Sequence, residues 1–266
     1  MCLNQSFILI IIHYPYIRIT RAMAAKRKTT KKRIGLRRFI PRVKNPYLRW
    51  SLRVVCYFFA ITIAWVLLLT FINPPITWLM IQRGFERKGE GKEWKITKEW
   101  VRYEDLSDNL KRAAIAGEDA RFLEHWGFDR EAILDAYERN KGGSRLRGGS
   151  TISQQTAKNV FLWPRRSWIR KGFETYFTLL IELCWSKKRI LEVYLNVIET
   201  GDGLYGAEAA AQHYYGKSAR SLTKRQAALL IAVLPNPRRW SPAKPTAFIN
   251  RKANTIVRYM NYSRIP

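Results

Sequence analysis

Residues 168–185 read Trp-Ile-Arg-Lys-Gly-Phe-Glu-Thr-Tyr-Phe-Thr-Leu-Leu-Ile-Glu-Leu-Cys-Trp. Ile169, Phe173, Tyr176, Phe177, Leu180 and Cys184 recur three and four residues apart, which is the period of a helix with one apolar face. The pattern repeats on both sides. Downstream, 187–198 turns Ile190, Leu191, Tyr194 and Leu195 inward. Thr223-Lys-Arg-Gln226 fits a capping box that opens the apolar helix 227–234, and Pro235 stops it. Upstream, 151–160 and 129–140 read as helices, and Pro164 breaks the chain between 160 and 168. Ser107 or Asp108 caps a further helix expected to run to about Leu123. Strand signals are few, with one short extended piece expected at 100–103. The fold class is therefore mainly α.

The N-terminal part has a different composition. Residues 54–72 contain no charged side chain, and with Trp50 and Leu52 they approach the roughly 20 apolar residues that cross a bilayer. Asn73-Pro74-Pro75 ends that helix. Trp50, Tyr57 and Trp78 lie toward its ends, where aromatic belts form. The chain has 266 residues and a net charge of +28, and thirteen Lys and Arg with no Asp or Glu precede residue 50. A basic tail that runs straight into an apolar span points to a membrane surface rather than to nucleic acid. It also places the tail in the cytoplasm and the rest outside. The expected organisation is a cytoplasmic tail at 1–49 (translation starting at Met23, where the tail takes a more usual form), a transmembrane helix at 50–73, a connector at 74–100 and a catalytic domain at 101–266. Cys2, Cys56 and Cys184 have neither disulfide nor metal-ligand spacing, and His13, His125 and His213 form no zinc motif.

Three places could carry chemistry. Glu118, Phe122 and His125 fall on one face if the helix continues through them. A carboxyl group beside an aromatic ring is desolvated and suited to general acid or base work. The plain alternative is a surface ion pair of Glu118 with Arg121 or Arg112. The second place is Arg147-Gly148-Gly149-Ser150-Thr151-Ile152-Ser153-Gln154-Gln155, which puts glycines and hydroxyls at a helix start. Such a terminus can bind phosphate, and Lys158, Arg165, Arg166, Arg170 and Lys171 follow it. A turn followed by a solvated basic face accounts for the same residues. The third is Glu174, either a second active-site carboxylate or an i,i+4 partner of Arg170. Ser241-x-x-Lys244 and Ser107-Asp108-Asn109 match acyl-transfer motifs, but their order is reversed and no Lys-Thr-Gly accompanies them.

Taken in order, a longer set of motifs resembles the peptidoglycan glycosyltransferases, and among them the monofunctional biosynthetic branch. These are Glu118-Asp119-x-x-Phe122-x-x-His125-x-Gly127; Arg147 to Gln155 with Lys158-Asn159; Arg170-Lys171-x-x-Glu174; and Lys188-x-Ile190-Leu191-Glu192-x-Tyr194-Leu195-Asn196. They continue with Gly203-x-x-Gly206, Ala209-Ala210, Tyr214-Tyr215-Gly216-Lys217, Gln226-Ala227-Ala228 and Leu234-Pro235. The resemblance covers about 100–259. Gln226 stands where many relatives carry Glu, and Ser153 where Thr is common. The resemblance implies a lysozyme-like helical domain beside the membrane. It also implies polymerisation of glycan from lipid II, without transpeptidase activity, in the bacterial cytoplasmic membrane. It implies Glu118 as the base, Glu174 as an orienting carboxylate, and Lys158 and Arg166 on the leaving pyrophosphate. Ser150, Thr151, Gln154, Asn159, Arg170 and Lys171 would complete the substrate site. The expected partners are lipid II, the nascent glycan and the membrane. Contacts with cell-division or elongation proteins stay open, since no residue identifies one. No cofactor is required, and a divalent ion (Mg2+ or Mn2+) is optional because no ligand set is visible. The basic residues fit a phosphate leaving group better than glycan cleavage by a lytic transglycosylase or muramidase of the same fold. Trp163, Trp168 and Trp185 either dock the domain on the bilayer or pack in its core.

Overall fold

The structure is a computed structural model that describes residues 45–141, 149–165 and 167–266. The basic tail with Met23, the turn 142–148 and Arg166 lie outside the described residues. Residues 54–266 form one compact unit.

Helix α1 spans Pro46–Phe71 and, among the described residues, is the one helix long and apolar enough to cross a membrane. Asn45 starts it, its side-chain oxygen accepting from Tyr47 N at 2.9 Å. The helix ends just before Asn73-Pro74-Pro75, where proline removes the donors a further turn needs.

Nine α-helices follow among the described residues: α2 Trp78–Gly89, α3 Asp108–Glu118, α4 Arg130–Lys141, α5 Ile152–Phe161, α6 Trp168–Cys184, α7 Lys187–Val197, α8 Ala207–Tyr215, α9 Lys224–Ala232 and α10 Ala247–Met260. Three short strands complete the fold: β1 Thr97–Lys98, β2 Glu199–Gly201 and β3 Leu204–Tyr205. They form one sheet in the order β1-β3-β2, with β1 parallel and β2 antiparallel to β3. The extended piece expected at 100–103 falls slightly earlier, at Thr97–Lys98.

Helix α7 lies at the centre. Ile190, Leu191, Val193, Tyr194, Leu195 and Val197 are all buried on it. A helix buried on nearly every face needs neighbours all round, and α5, α6 and α8 supply part of that cover. A second group packs α3 against α9 and α10. Gly117 permits that approach: a Cβ there would stand 2.7 Å from Ile231 Cγ2 and 3.1 Å from Ile256 Cδ1. Both expected capping boxes form, Thr151 with Gln154 on α5 and Thr223 with Gln226 on α9. Each such cap contributes about 1 kcal/mol.

Two expectations change. The stretch 74–100 is not a bare connector, because Thr77 caps α2 and buries Leu79 and Met80. Within α2, Gly84 is a packing residue, since a Cβ there would lie 2.6 Å from the Trp94 ring. The helix from Ser107 also stops at Glu118, five residues short of Leu123.

The C-terminal half of α1 runs beside α6 and the start of α7. The rings of Phe58 and Phe173 are 5.9 Å apart, and the hydroxyls of Thr62 and Tyr176 are 2.7 Å apart. Trp185 Nε1 donates to Val66 O at 2.9 Å. Arg189 donates to Leu69 O at 2.9 Å and Ile72 O at 3.0 Å, and so supplies the last turn of α1 with partners for its carbonyls.

Candidate active site

Glu118 is the last residue of α3. Asp119 breaks the helix with φ −161° and ψ 76°. Its carboxylate reaches out of the helix axis, with Oδ2 accepting from Ile152 N at 3.0 Å and Oδ1 lying 2.8 Å from His125 Nε2. With these bonds Asp119 leaves the helical path, and Glu118 is separated from Phe122 and His125. The three do not share a helix face as expected. Phe122 is fully buried in the core, and His125 serves Asp119.

Glu118 is not a surface ion pair either. Arg121 pairs with Asp129 and Glu131 instead, and Arg112 donates to Ser263 O. The Glu118 side chain is 13% exposed, with Gln155 Nε2 donating to Oε2 at 2.9 Å and Lys252 Nζ 3.8 Å from Oε1. Burial raises its pKa above the ordinary 4.5, against the opposing pull of Lys252, Gln155 and Lys158. The group is thus a desolvated carboxyl with partners that hold its ionised form in place.

The start of α5 differs from the sequence expectation. An open helix N-terminus would offer N–H groups to phosphate. Here Asp119 occupies Ile152 N, and Thr151 Oγ1 accepts from Gln154 N at 3.2 Å. Thr151 also donates to Gly127 O at 2.7 Å, so its hydroxyl is committed to structure. The negative charge expected there belongs to the protein itself. Gly127, at φ +75°, makes the approach possible: a Cβ would stand 2.6 Å from Thr178 Cγ2.

The basic residues converge elsewhere. A cavity of about 510 Å³ is lined by Ser150, Gln154, Gln155, Lys158, Asn159, Arg170, Lys171 and Glu174, among others. Glu174 is buried, with Arg170 Nη1 at 2.8 Å and Lys171 Nζ at 2.5 Å. The i,i+4 bridge therefore forms, and it forms inside the cavity rather than on a solvated face. Lys158 is half-buried. Burial lowers its pKa from 10.5, opposed by both Glu174 and Glu118. Lys158 thus feels both carboxylates. A second cavity, of about 720 Å³, is lined by Glu118 with Asp119, Arg121 and Asp129. Ser150 borders both cavities, and Gln155 borders the first while holding Glu118 of the second.

Sequence reasoning missed Lys252, on α10, and did not single out Gln155 or Tyr194, whose side chains meet at 3.5 Å. Gln155 lay inside a quoted motif; Lys252 carried no local signal. The tryptophans divide. Trp185 packs in the core, Trp163 borders the first cavity with its ring 6.1 Å from Phe173, and Trp168 is 92% exposed.

The optional divalent ion has one candidate cluster among the described residues: Asp119, His125 and Asp129, with ligand atoms within 4.8 Å of one another. Both oxygens of Asp119 are engaged, one with His125 and one with Ile152 N, and Arg121 clamps Asp129. This set does not fit a resident metal, because its ligand atoms already serve hydrogen bonds and a guanidinium.

Comparison with known proteins gives the lineage. The family model described as Transglycosylase matches residues 88–261. A biosynthetic peptidoglycan transglycosylase of Stutzerimonas stutzeri (strain A1501) is 51% identical over 218 residues, covering 82% of this chain and 90% of the relative. Proteins of the same name from Ectopseudomonas mendocina (strain ymp) and Pseudomonas fluorescens (strain Pf0-1) are 53% and 48% identical, covering 73% and 81% of this chain and 81% and 90% of those relatives. Family match, helical architecture and motif order agree: the chain belongs to the transglycosylase family.

Proposed function

We propose that the chain polymerises peptidoglycan glycan from lipid II. The growing glycan, carried on its lipid pyrophosphate, is the donor. The sugar 4-hydroxyl of the incoming lipid II attacks its anomeric carbon. The new C–O bond forms as the bond to pyrophosphate breaks, and the hydroxyl proton passes to Glu118. The observation that carries this reading is the cavity in which Lys158, Arg170 and Lys171 converge around the buried Glu174. Three cations against one carboxylate (Lys158, Arg170 and Lys171 against Glu174) make a site for an anionic leaving group. Lys158, with Arg166, neutralises the departing pyrophosphate. Glu174 holds Arg170 and Lys171 in place, and Ser150, Gln154 and Asn159 shape the pocket around them. Positioned base catalysis of this kind supplies roughly 10² to 10⁴ in rate.

The membrane belongs to the mechanism. Helix α1 crosses the bacterial inner membrane once, with its basic end in the cytoplasm and the catalytic domain outside. From Phe58 to Ile72, the length over which α6 and α7 accompany α1, is roughly 20 Å at 1.5 Å per residue. Trp168 and Ile169, 92% and 72% exposed at the start of α6, then meet lipid rather than water.

Incubation of the reconstituted protein with purified lipid II tests the reading. Polymer is expected. Fragments released from intact sacculi, with no polymer from lipid II, would replace it by a lytic activity.

A further inference from the structure

From Ala209 to Pro266 the chain carries eleven Lys and Arg and no Asp or Glu. Three of these cations meet carboxylates brought by other parts of the fold: Arg220 at Asp105, Arg238 at Glu90 and Lys252 at Glu118. The rest form no ion pair with a carboxylate among the described residues. Asparagine amides stand where acids would. Arg225 donates to the side chains of Asn250 and Asn254, and Lys224 Nζ lies 3.2 Å from Asn261 Oδ1. An amide oxygen satisfies a donor without cancelling its charge. The positive field of this surface therefore stays open.

Helix α10 orders that surface. Ile249, Ala253, Ile256 and Met260 are its buried side, and the helix packs on α3 and α9. The opposite stripe, at spacings of four, three and four, is Arg251, Thr255, Arg258 and Tyr262, all exposed. Arg264 is exposed just beyond it. Aromatic rings stand open beside the arginines: Tyr262 is 82% exposed, Tyr259 54% and Phe248 49%.

We propose that this face of α10 binds the peptide-bearing glycan of wall already made, an anionic polymer with repeated carboxylates. The pattern selects an extended polyanion over a folded protein. Stable protein interfaces have an apolar centre depleted of charge, whereas arginines run the whole length of this stripe. Arginine holds a carboxylate through two parallel N–H donors, and an exposed Tyr or Phe ring packs against the C–H face of a sugar. A polymer that repeats sugar and carboxylate offers both at once. The side-chain contacts of α1 described above are with α6 and α7, so the face belongs to the helix group that does not receive the membrane helix. None of its side chains lines either cavity. Naming the polymer rests on the polymerase reading; what is added is a hold on existing wall, outside the catalytic groove.

The test is co-sedimentation of the full-length protein, in detergent, with purified sacculi. The variants are the triple change Arg251→Gln, Arg258→Gln and Arg264→Gln, and separately Tyr262→Ala. Sacculi with amidated carboxyl groups and micelles containing phosphatidylglycerol are the comparison ligands. Thermal unfolding checks that each variant is folded. The expected result is an apparent Kd for sacculi raised about tenfold or more in the triple variant, with a smaller rise in Tyr262→Ala. Wild-type binding should be lost on amidation and at high salt, and each variant should polymerise lipid II as the wild type does. Wild-type affinity in the folded triple variant, or equal binding of the wild type to amidated sacculi, would overturn the proposal. Weaker binding of the triple variant to phosphatidylglycerol micelles, with sacculus binding unchanged, would overturn it too and assign the face to lipid. Absence of polymer from the wild-type protein would instead count against the polymerase reading.

Discussion

Gln155 Nε2 donates to Glu118 Oε2 at 2.9 Å, joining α5 to the last residue of α3 across the boundary of two cavities. This bond favours the ionised form of a carboxyl group that burial otherwise protonates. Gln155→Leu removes it. The Glu118 pKa then rises further, and the acid limb of the pH–rate profile moves to higher pH. A hydrogen bond to a charged group is worth roughly 1.5 to 3 kcal/mol, so the displacement of the acid limb should be plainly measurable. An unmoved acid limb would show that Gln155 does not tune the base.

The activity profile should be a bell with both limbs drawn inward. Glu118 acts as a base only when ionised, and burial lifts its pKa above 4.5, so activity rises with pH through a midpoint above that value. Lys158 carries charge only when protonated, and burial lowers its pKa from 10.5, so activity falls on the alkaline side before that value. Lys158→Arg should shift the alkaline limb upward, because guanidinium stays protonated. If the limb stays in place it belongs to another cation. Lys252, also lowered by burial, is the next to test by Lys252→Met.

Arg189 ties the catalytic domain to the end of α1. Its side chain is 12% exposed and also pairs with Glu192 at 2.9 Å. Arg189→Leu strips partners from Leu69 O and Ile72 O and leaves Glu192 without its main counter-charge. Breaking a mostly buried pair in this way costs about 3 kcal/mol. Thermal unfolding in detergent should show a Tm lower by several degrees, and Arg189→Lys should recover only part of it.

Gly127→Ala places a Cβ at φ +75° and 2.6 Å from Thr178. The site cannot absorb it without moving α6 or the Gly127 carbonyl that anchors Thr151. The expected loss is about 2 kcal/mol or more, read by denaturant titration. A neutral result would mean that the loop between α3 and α4 is not packed against α6.

Much of the fold was legible in the sequence because it is periodic. The apolar stripe of 168–185, the capping boxes at Thr151 and Thr223, and the uncharged run 54–72 are local signals, and each marks a helix in the structure. What failed depended on distant partners. Asp119 leaves α3 with its carboxylate bonded to His125 in the following loop and to Ile152 N at the start of α5. Gly84, within α2, has no room for a side chain because the Trp94 ring lies over it. Lys252 meets Glu118 only through the packing of α10 on α3. For the site, residue types and order pointed to Glu118, Lys158 and Glu174. The structure supplied what spacing could not: two adjoining cavities, a helix start filled by the protein's own carboxylate, and Gln155 at their border.

The central claim is that Glu118 is the base that builds glycan. Glu118→Gln keeps the shape of the side chain and removes its capacity to take a proton. The decisive measurement is polymerisation of purified lipid II by this variant, with insertion into membranes and thermal unfolding followed in parallel. The predicted result is loss of polymer to background in a protein that inserts and folds as the wild type does. Polymer formed at the wild-type rate by the folded variant would contradict the assignment.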